Sequence, residues 1–311
     1  MIYCLCLGGM VFAQNKSSPI KGPYAHDKFW SSKDAYLGQK LPGAKPEIFA
    51  EQLLMKKDTF PYDRVAFSPD GKEFYYPSSN IWYDVKLAKI RYFKYAHGKW
   101  NGPFVLNEGY IAPTFSVDGR KLYIEGGKVV RKHFIISQSS RKTDGSWTDP
   151  TVYLSVTYPL YDFMPTIDGT CYAGSTVHAD TSRKDMDISE FKMRTGDTTI
   201  RSLGAPINTT AFEGDFFVAK DASYLIVSTK ETDSGESELW ISFHKADGKW
   251  TPPVSLGPEI NTGLLHRWGQ YVSPDGKFLF YSAGHSPQDC RIFWVRFDQL
   301  LAKLKKSSLV Y

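Results

Sequence analysis

The stretches "AFSPDGKEFYY" (Ala66 to Tyr76) and "YVSPDGKFLFY" (Tyr271 to Tyr281) are nearly one phrase written twice, 205 residues apart. Three variants lie between them. Aligning the aspartates of "SPDG" (Asp70), "SVDG" (Asp118), "TIDG" (Asp168), "AKDA" (Asp221) and "SPDG" (Asp275) gives intervals of 48, 50, 53 and 54 residues. A steady period near fifty is the mark of one supersecondary unit copied along a chain.

Each copy has the same internal grammar. A short apolar strand enters the phrase, Asp-Gly makes a tight turn because glycine tolerates positive φ, and an aromatic strand returns, as in "KEFYY", "RKLYI" and "KFLFY". A third strand follows after a polar loop ("IRYFKY", "HFIISQ", "ELWISF"). A second hairpin signal, "AHGKW", "TDGSW" or "ADGKW", then leads to a fourth strand with proline near its start. Four antiparallel strands per copy, repeated around an axis, describe the blade of a β-propeller. Composition agrees with an all-β chain: 42% hydrophobic and 15% aromatic residues are broken up by 25 glycines and 18 prolines.

Three stretches carry a resemblance to a known family: the "SPDGK-aromatic" phrase, the "DGKW" to "PVSLGPEIN" continuation from Asp247 to Asn261, and "LGQKLPGAKPEIFA" before the first copy. The chain resembles exported bacterial TolB-like propellers with WD-repeat-like blades, over roughly Leu37 to Lys305. The resemblance implies a closed ring of blades. For function it implies less, because such rings serve as binding platforms, accessory domains and in some cases enzymes.

The fifth copy lacks an outer strand. After "RIFWVRF" the residues "DQLLAKLKK" read as a short C-terminal helix capped by Asp298, with Leu300, Leu301 and Leu304 on one face. "KPEIFA" (Lys45 to Ala50) resembles a fourth strand without a blade, and pairing it with the last copy would close the ring and remove two open sheet edges. The expectation is a five-bladed propeller over residues 45–306, closed by the strand at 45–50. An N-terminal extension at 14–44 precedes it and a tail at 307–311 follows. Six blades are the alternative if residues 15–45 supply a divergent one.

The first thirteen residues, "MIYCLCLGGMVFA", are apolar and uncharged. They read as the remnant of a secretory signal peptide without its basic start, with Val11 and Ala13 at the cleavage positions. The run is shorter than the roughly 20 residues needed to cross a bilayer, so membrane insertion is not expected. The expected location is periplasmic or secreted, and the expected state is a monomer. Cys4 and Cys6 would leave with the signal; Cys171 and Cys290 are expected to be free and buried. The 38 basic and 33 acidic residues, net +5, are scattered without a basic stripe, which argues against nucleic acid as partner.

Repetition also separates scaffold from chemistry. Asp70 and Asp275 look like catalytic acids only in isolation; five equivalents in one turn position make them structural. Trp100, Trp147 and Trp250 follow the second hairpin and are expected to pack between blades. Function is sought where the copies disagree, in the segments leading into each innermost strand. These supply Asp63, Arg64, Glu108, Tyr110, Tyr161, Asp162, Glu213, Asp215, His266, Arg267 and Trp268. Carboxylates, arginines and aromatics converging on a channel mouth suit a polar small molecule, a glycan or a protein partner. The expected function is therefore an exported binding or interaction module. A glycan-active enzyme using two of these carboxylates is the alternative. An arginine triad of the sialidase kind is not met by Arg64 and Arg267 alone. The histidines show no zinc-motif spacing, no nucleophile elbow or phosphate-cradling loop is present, and no cofactor or metal is expected.

Overall fold

Each copy of the repeat folds into one antiparallel sheet, with the Asp-Gly phrase as its first hairpin. The structure is a computed structural model and describes residues 28–82, 84–127, 133–177, 186–193, 199–209, 213–229 and 236–308. The apolar run at residues 1–13, read above as a signal peptide, lies outside them.

Strand β1 (Glu47–Ile48) and the short helix α1 (Glu51–Leu54) precede the first blade. In blade 1 the innermost strand is split into β2 (Phe60–Pro61) and β3 (Ala66–Phe67), followed by β4 (Glu73–Ser79), β5 (Lys89–Ala96) and β6 (Lys99–Glu108). Blade 2 holds β7 (Tyr110–Phe115), β8 (Lys121–Gly126), β9 (Phe134–Ser140) and β10 (Thr151–Val156). Blade 3 holds β11 (Leu160–Pro165), β12 (Thr170–Ser175), β13 (Asp187–Lys192) and β14 (Arg201–Ser202). Blade 4 holds β15 (Phe216–Val218), β16 (Tyr224–Thr229), β17 (Glu238–Phe243) and β18 (Val254–Ser255). Blade 5 is built from β19 (Arg267–Val272), β20 (Phe278–Ala283) and β21 (Arg291–Arg296), and β1 is its outermost strand. The fold is thus an all-β propeller of five blades.

The ring closes as the missing fourth strand requires. Glu47 pairs with Trp294 and Ile48 with Phe293, and the Phe49 N–H donates to the Ile292 carbonyl at 2.8 Å. Phe49 is 1% exposed and meets Phe74, Phe280 and Trp294 edge-on at centroid distances of 4.9–5.3 Å. One short strand therefore covers the open edge of β21 and caps the aromatic seam between blades 5 and 1. The preceding residues join the same seam: Trp30, Tyr36 and Leu37 are buried in it, and Trp30 Nε1 donates to the Pro69 carbonyl at 3.0 Å. Gly71 turns here with φ +76°, and a Cβ at that position would come within 2.9 Å of the Trp30 ring.

The repeated aspartates hold their own turns. Asp70 accepts from Ser68 Oγ (2.6 Å) and the Lys72 N–H (3.1 Å), and Asp118 and Asp168 make the same pair of bonds to the residues two before and two after. Asp275 accepts from Ser273 Oγ at 2.7 Å, and Asp221 from the Ser223 N–H at 3.1 Å. The tryptophans of the second hairpins bridge elements. Trp147 of blade 2 donates to the Tyr75 hydroxyl of blade 1 at 2.8 Å, Trp250 of blade 4 packs edge-on against Tyr172 of blade 3, and Trp100 donates to the Asp34 carbonyl. Helix α2 (Asp298–Ser308) begins with Asp298 Oδ1 accepting the Gln299 N–H, and lays Leu300, Leu301 and Leu304 on the core of blades 4 and 5. Cys171 and Cys290 are buried and unbridged. Among the described residues no helix is long and apolar enough to cross a membrane.

Candidate functional site

The innermost strands do not run straight down the channel. Register slips between Ile111 and Thr114, Tyr161 and Met164, and Trp268 and Tyr271 mark a β-bulge in blades 2, 3 and 5. The residue there takes positive φ: Ala112 (51°), Asp162 (56°) and Gly269 (61°), with Asp63 (64°) in the split strand of blade 1. A bulge re-aims side chains; here it turns the lead-in residues toward the axis and toward the neighbouring blade.

Acceptors at this level of the channel stitch blade to blade. Glu125 Oε1 of blade 2 accepts the Phe163 N–H of blade 3 at 3.1 Å. Asp162 Oδ2 of blade 3 accepts the Phe216 N–H of blade 4, and Asp215 Oδ2 accepts the Gly269 N–H of blade 5, both at 2.9 Å. Ser282 Oγ of blade 5 donates to the Asp63 carbonyl of blade 1 at 2.9 Å. Gly269 is obligatory, because a Cβ there would lie 2.5 Å from the backbone of Asp63 and Arg64. Backbone N–H groups of the neighbouring blades, those of Phe163 and Gly269 lying at bulges, thus find carboxyl acceptors, and the blades are tied at the axis.

Arg64, 1% exposed, is the cation of this layer. Its Nη2 is bonded to Asp162 and lies 3.5 Å from Glu125, while Nη1 donates to Thr114 Oγ1 (3.1 Å) and Met164 Sδ (3.2 Å). Burial opposes the Arg64 charge, but Asp162, Glu125, Asp63 and Asp215 outweigh it and raise its pKa. One guanidinium does not neutralise four acids. Burial, with the nearby Asp162 charge, pushes Asp63 up to about 6 and Glu125 up to about 8. Asp215 is driven well above the carboxylate range by burial and by Asp162 and Asp63. Burial and mutual repulsion thus favour the neutral form of each of these acids.

The remaining predicted site residues have other duties. Arg267, 2% exposed, clamps a loop through backbone carbonyls: Ser237 (2.7 Å), Leu265 (3.0 Å), Ile260 (3.1 Å) and Thr262. Glu213 accepts from the Thr209 N–H (3.0 Å) and Oγ1 (2.6 Å). Tyr161 donates to the Glu213 carbonyl at 2.7 Å, its ring lying against Gly174 where a Cβ would fall 2.1 Å away. His266 stacks on Trp268 at 4.6 Å, and burial pushes it down to about 4; Trp268 in turn meets Trp82 edge-on. Tyr110 is half-buried against the blade 1–2 core, and Glu108 pairs with Lys89 on the surface at 2.6 Å. The structure therefore brings Asp63, Arg64, Asp162 and Asp215 together at the axis, and places Glu213, Arg267, Tyr161, Tyr110, His266 and Trp268 around it in local packing.

Below this layer the channel is open. A cavity of about 710 Å³, counting its solvent-filled mouth, is floored by Arg64, Thr114 and Met164. Its rim is the second residue of every phrase: Pro69, Val117, Ile167, Lys220 and Pro274. Phe67, Phe115, Phe217 and Val272 line the walls, and Tyr271 crosses between blades by accepting the Phe67 N–H on its hydroxyl at 2.9 Å. Lys220 is the one charged rim residue. Its Nζ donates to the Phe115 carbonyl (2.8 Å) and the Pro165 carbonyl (3.2 Å), and burial, assisted by Arg64, pulls its pKa down to about 7.

Sequence reasoning missed Glu125 and Lys220. Glu125 sits in a second strand and carries no signal of its own. Lys220 does: it stands in "AKDA" where the other copies have Pro, Val, Ile and Pro, a cation in a slot otherwise apolar. Among the described residues no three His, Cys, Asp or Glu side chains are arranged to hold a metal ion.

Solved structures similar in fold include a prolyl endopeptidase analysed for inter-domain dynamics in catalysis and specificity (13% identity, TM-score 0.46, covering 79% of this chain and 41% of that one). TolB from Acinetobacter baumannii is another (14% identity, TM-score 0.45, covering 75% and 54%). The hydrazine synthase of Kuenenia stuttgartiensis is a third (16% identity, TM-score 0.41, covering 79% and 67%). This chain spans 41% of the endopeptidase and 54% of TolB. No family model and no curated protein sequence matches the chain, and the likeness to these structures is one of fold.

Proposed function

We propose that the chain is an exported binding module whose ligand enters the central channel from the face of the first hairpins. The observation that carries this reading is the contrast within the channel: its lead-in end is filled by bonded, buried side chains, and its hairpin end is a cavity of about 110 Å³ with apolar walls that opens to solvent. A concave apolar pocket with a few convergent polar groups is the usual form of a small-ligand site. Export rests on the apolar residues 1–13. The glycan-active alternative needs two acids free to serve an acetal. Here Asp162 and Asp215 each accept a backbone N–H and Glu125 does the same, which favours a scaffold role for them and binding as the function.

The uncharged fluorescent probe N-phenyl-1-naphthylamine tests the location. Val117→Trp and Ile167→Trp, each placing an indole on the rim, should weaken probe binding at least tenfold while leaving the melting temperature within a few degrees. Unchanged binding in both variants would refute the channel as the site.

A further inference from the structure

Resting on the channel reading, we infer that the ligand is a small monocarboxylate with an apolar body, its carboxylate held between Lys220 and Arg64 and its body lying among the phenylalanines of the wall. Charge is the first argument. Among the described residues, the groups lining the cavity include two basic side chains, Lys220 and Arg64, and no carboxylate. The acids that neutralise Arg64 meet it through Nη2, whereas Nη1 reaches Thr114 and Met164, both part of the cavity floor.

Donor capacity is the second. An ammonium has three N–H groups, and Lys220 spends two on the Phe115 and Pro165 carbonyls. On Arg64, Nη1 donates to a thioether sulfur, a weak acceptor, and Nε is buried with no hydrogen-bond partner among the described residues. The other polar groups of the lining are already engaged: Ser116 Oγ bonds Asp118, and the Tyr271 hydroxyl bonds the Phe67 backbone. What remains is a small number of cationic donors in an apolar enclosure. That suits one carboxylate, with two oxygens, and leaves a phosphate or a polyol short of partners. Phe115, Val117, Ile167 and Phe217 would bury a hydrocarbon body by the hydrophobic effect.

Competition against N-phenyl-1-naphthylamine with octanoate, octan-1-ol and octylamine tests the assignment. Wild-type protein should bind octanoate at least tenfold more tightly than octan-1-ol, and octylamine most weakly. Lys220→Met should erase the preference for octanoate over octan-1-ol, Lys220→Arg should keep part of it, and Val117→Trp should weaken octanoate and octan-1-ol together. If octan-1-ol matches octanoate in the wild type, or Lys220→Met keeps the preference, the carboxylate assignment is overturned while the channel survives. If neither the naphthylamine nor any octyl compound binds the wild type, the channel reading falls as well. The ranking of the three octyl compounds on wild-type protein does not depend on how well the Lys220 variants fold.

Discussion

The two ends of the central channel are built from the same innermost strands and have opposite characters. At the lead-in end the acids form a dry layer where Glu125, Asp162 and Asp215 each tie one blade to the next, and Arg64 bonds Asp162 and lies against Glu125. At the hairpin end the corresponding slot carries Pro69, Val117, Ile167 and Pro274, and the channel stays open. The difference teaches that sequence diversity among repeats has two sources. Residues differ between copies to complete one another across the axis, as Arg64 and Asp162 do, or because one of them meets a ligand, as we assign to Lys220.

Removing the cation of the closed end is the strongest way to break this comparison. Arg64→Met leaves the acids of the layer without their counter-charge and should cost about 3–5 kcal/mol, read as a fall in the urea midpoint or as failure to fold. An unchanged midpoint would mean that the layer is not structural. Arg267→Ala comes next. The lead-in reading expects such a change to weaken a ligand and spare the fold, but Arg267 is buried on backbone carbonyls, and its loss should cost about 2–4 kcal/mol of stability. Probe binding by the folded fraction should persist.

The protons held in the closed end give a third test. Glu125 and Asp63 have folded pKa values raised above their unfolded ones, so the stability they contribute is fully present below pH 4 to 4.5. It declines as pH rises through about 6 for Asp63 and about 8 for Glu125. Glu125→Gln should flatten the decline between pH 4.5 and 8, removing at most about 1.4 kcal/mol per pH unit of slope. Urea midpoints at pH 5 and pH 8 measure it, and parallel slopes in variant and wild type would contradict the protonated layer. The smallest effect is expected at the open end's turns. Asp70→Ala loses the bonds from Ser68 and Lys72 and should cost about 1 kcal/mol, with binding of N-phenyl-1-naphthylamine unaltered.

Much of the fold was legible in the chain because its signals are local. An Asp-Gly turn, an alternating aromatic strand and a period near fifty residues are encoded within each copy, and the orphan strand at Glu47 and Ile48 was recognisable because the fifth copy lacked one. Asp298 and the leucines after it marked the helix for the same reason. Of the lead-in residues, Asp63, Arg64, Asp162 and Asp215 meet at the axis, since a ring brings equivalent positions to one line, while Arg267, Glu213 and Tyr161 bond locally.

Burial decided the rest. Whether Asp162 faces solvent or the Arg64 guanidinium depends on a bulge and on a neighbour 98 residues away, and Arg267 becomes a loop clamp only when residues 260–265 fold over it. Glu125 gains its role from the Phe163 N–H of the adjoining blade, a partner no local pattern announces. The sequence by itself determined the blade, its repetition in five copies and the strand that shuts the ring, because those follow from short-range turns and strand pairing. Only the tertiary structure decided which end of the channel is filled and which is open, because desolvation and charge pairing act between blades that meet only when the ring is closed.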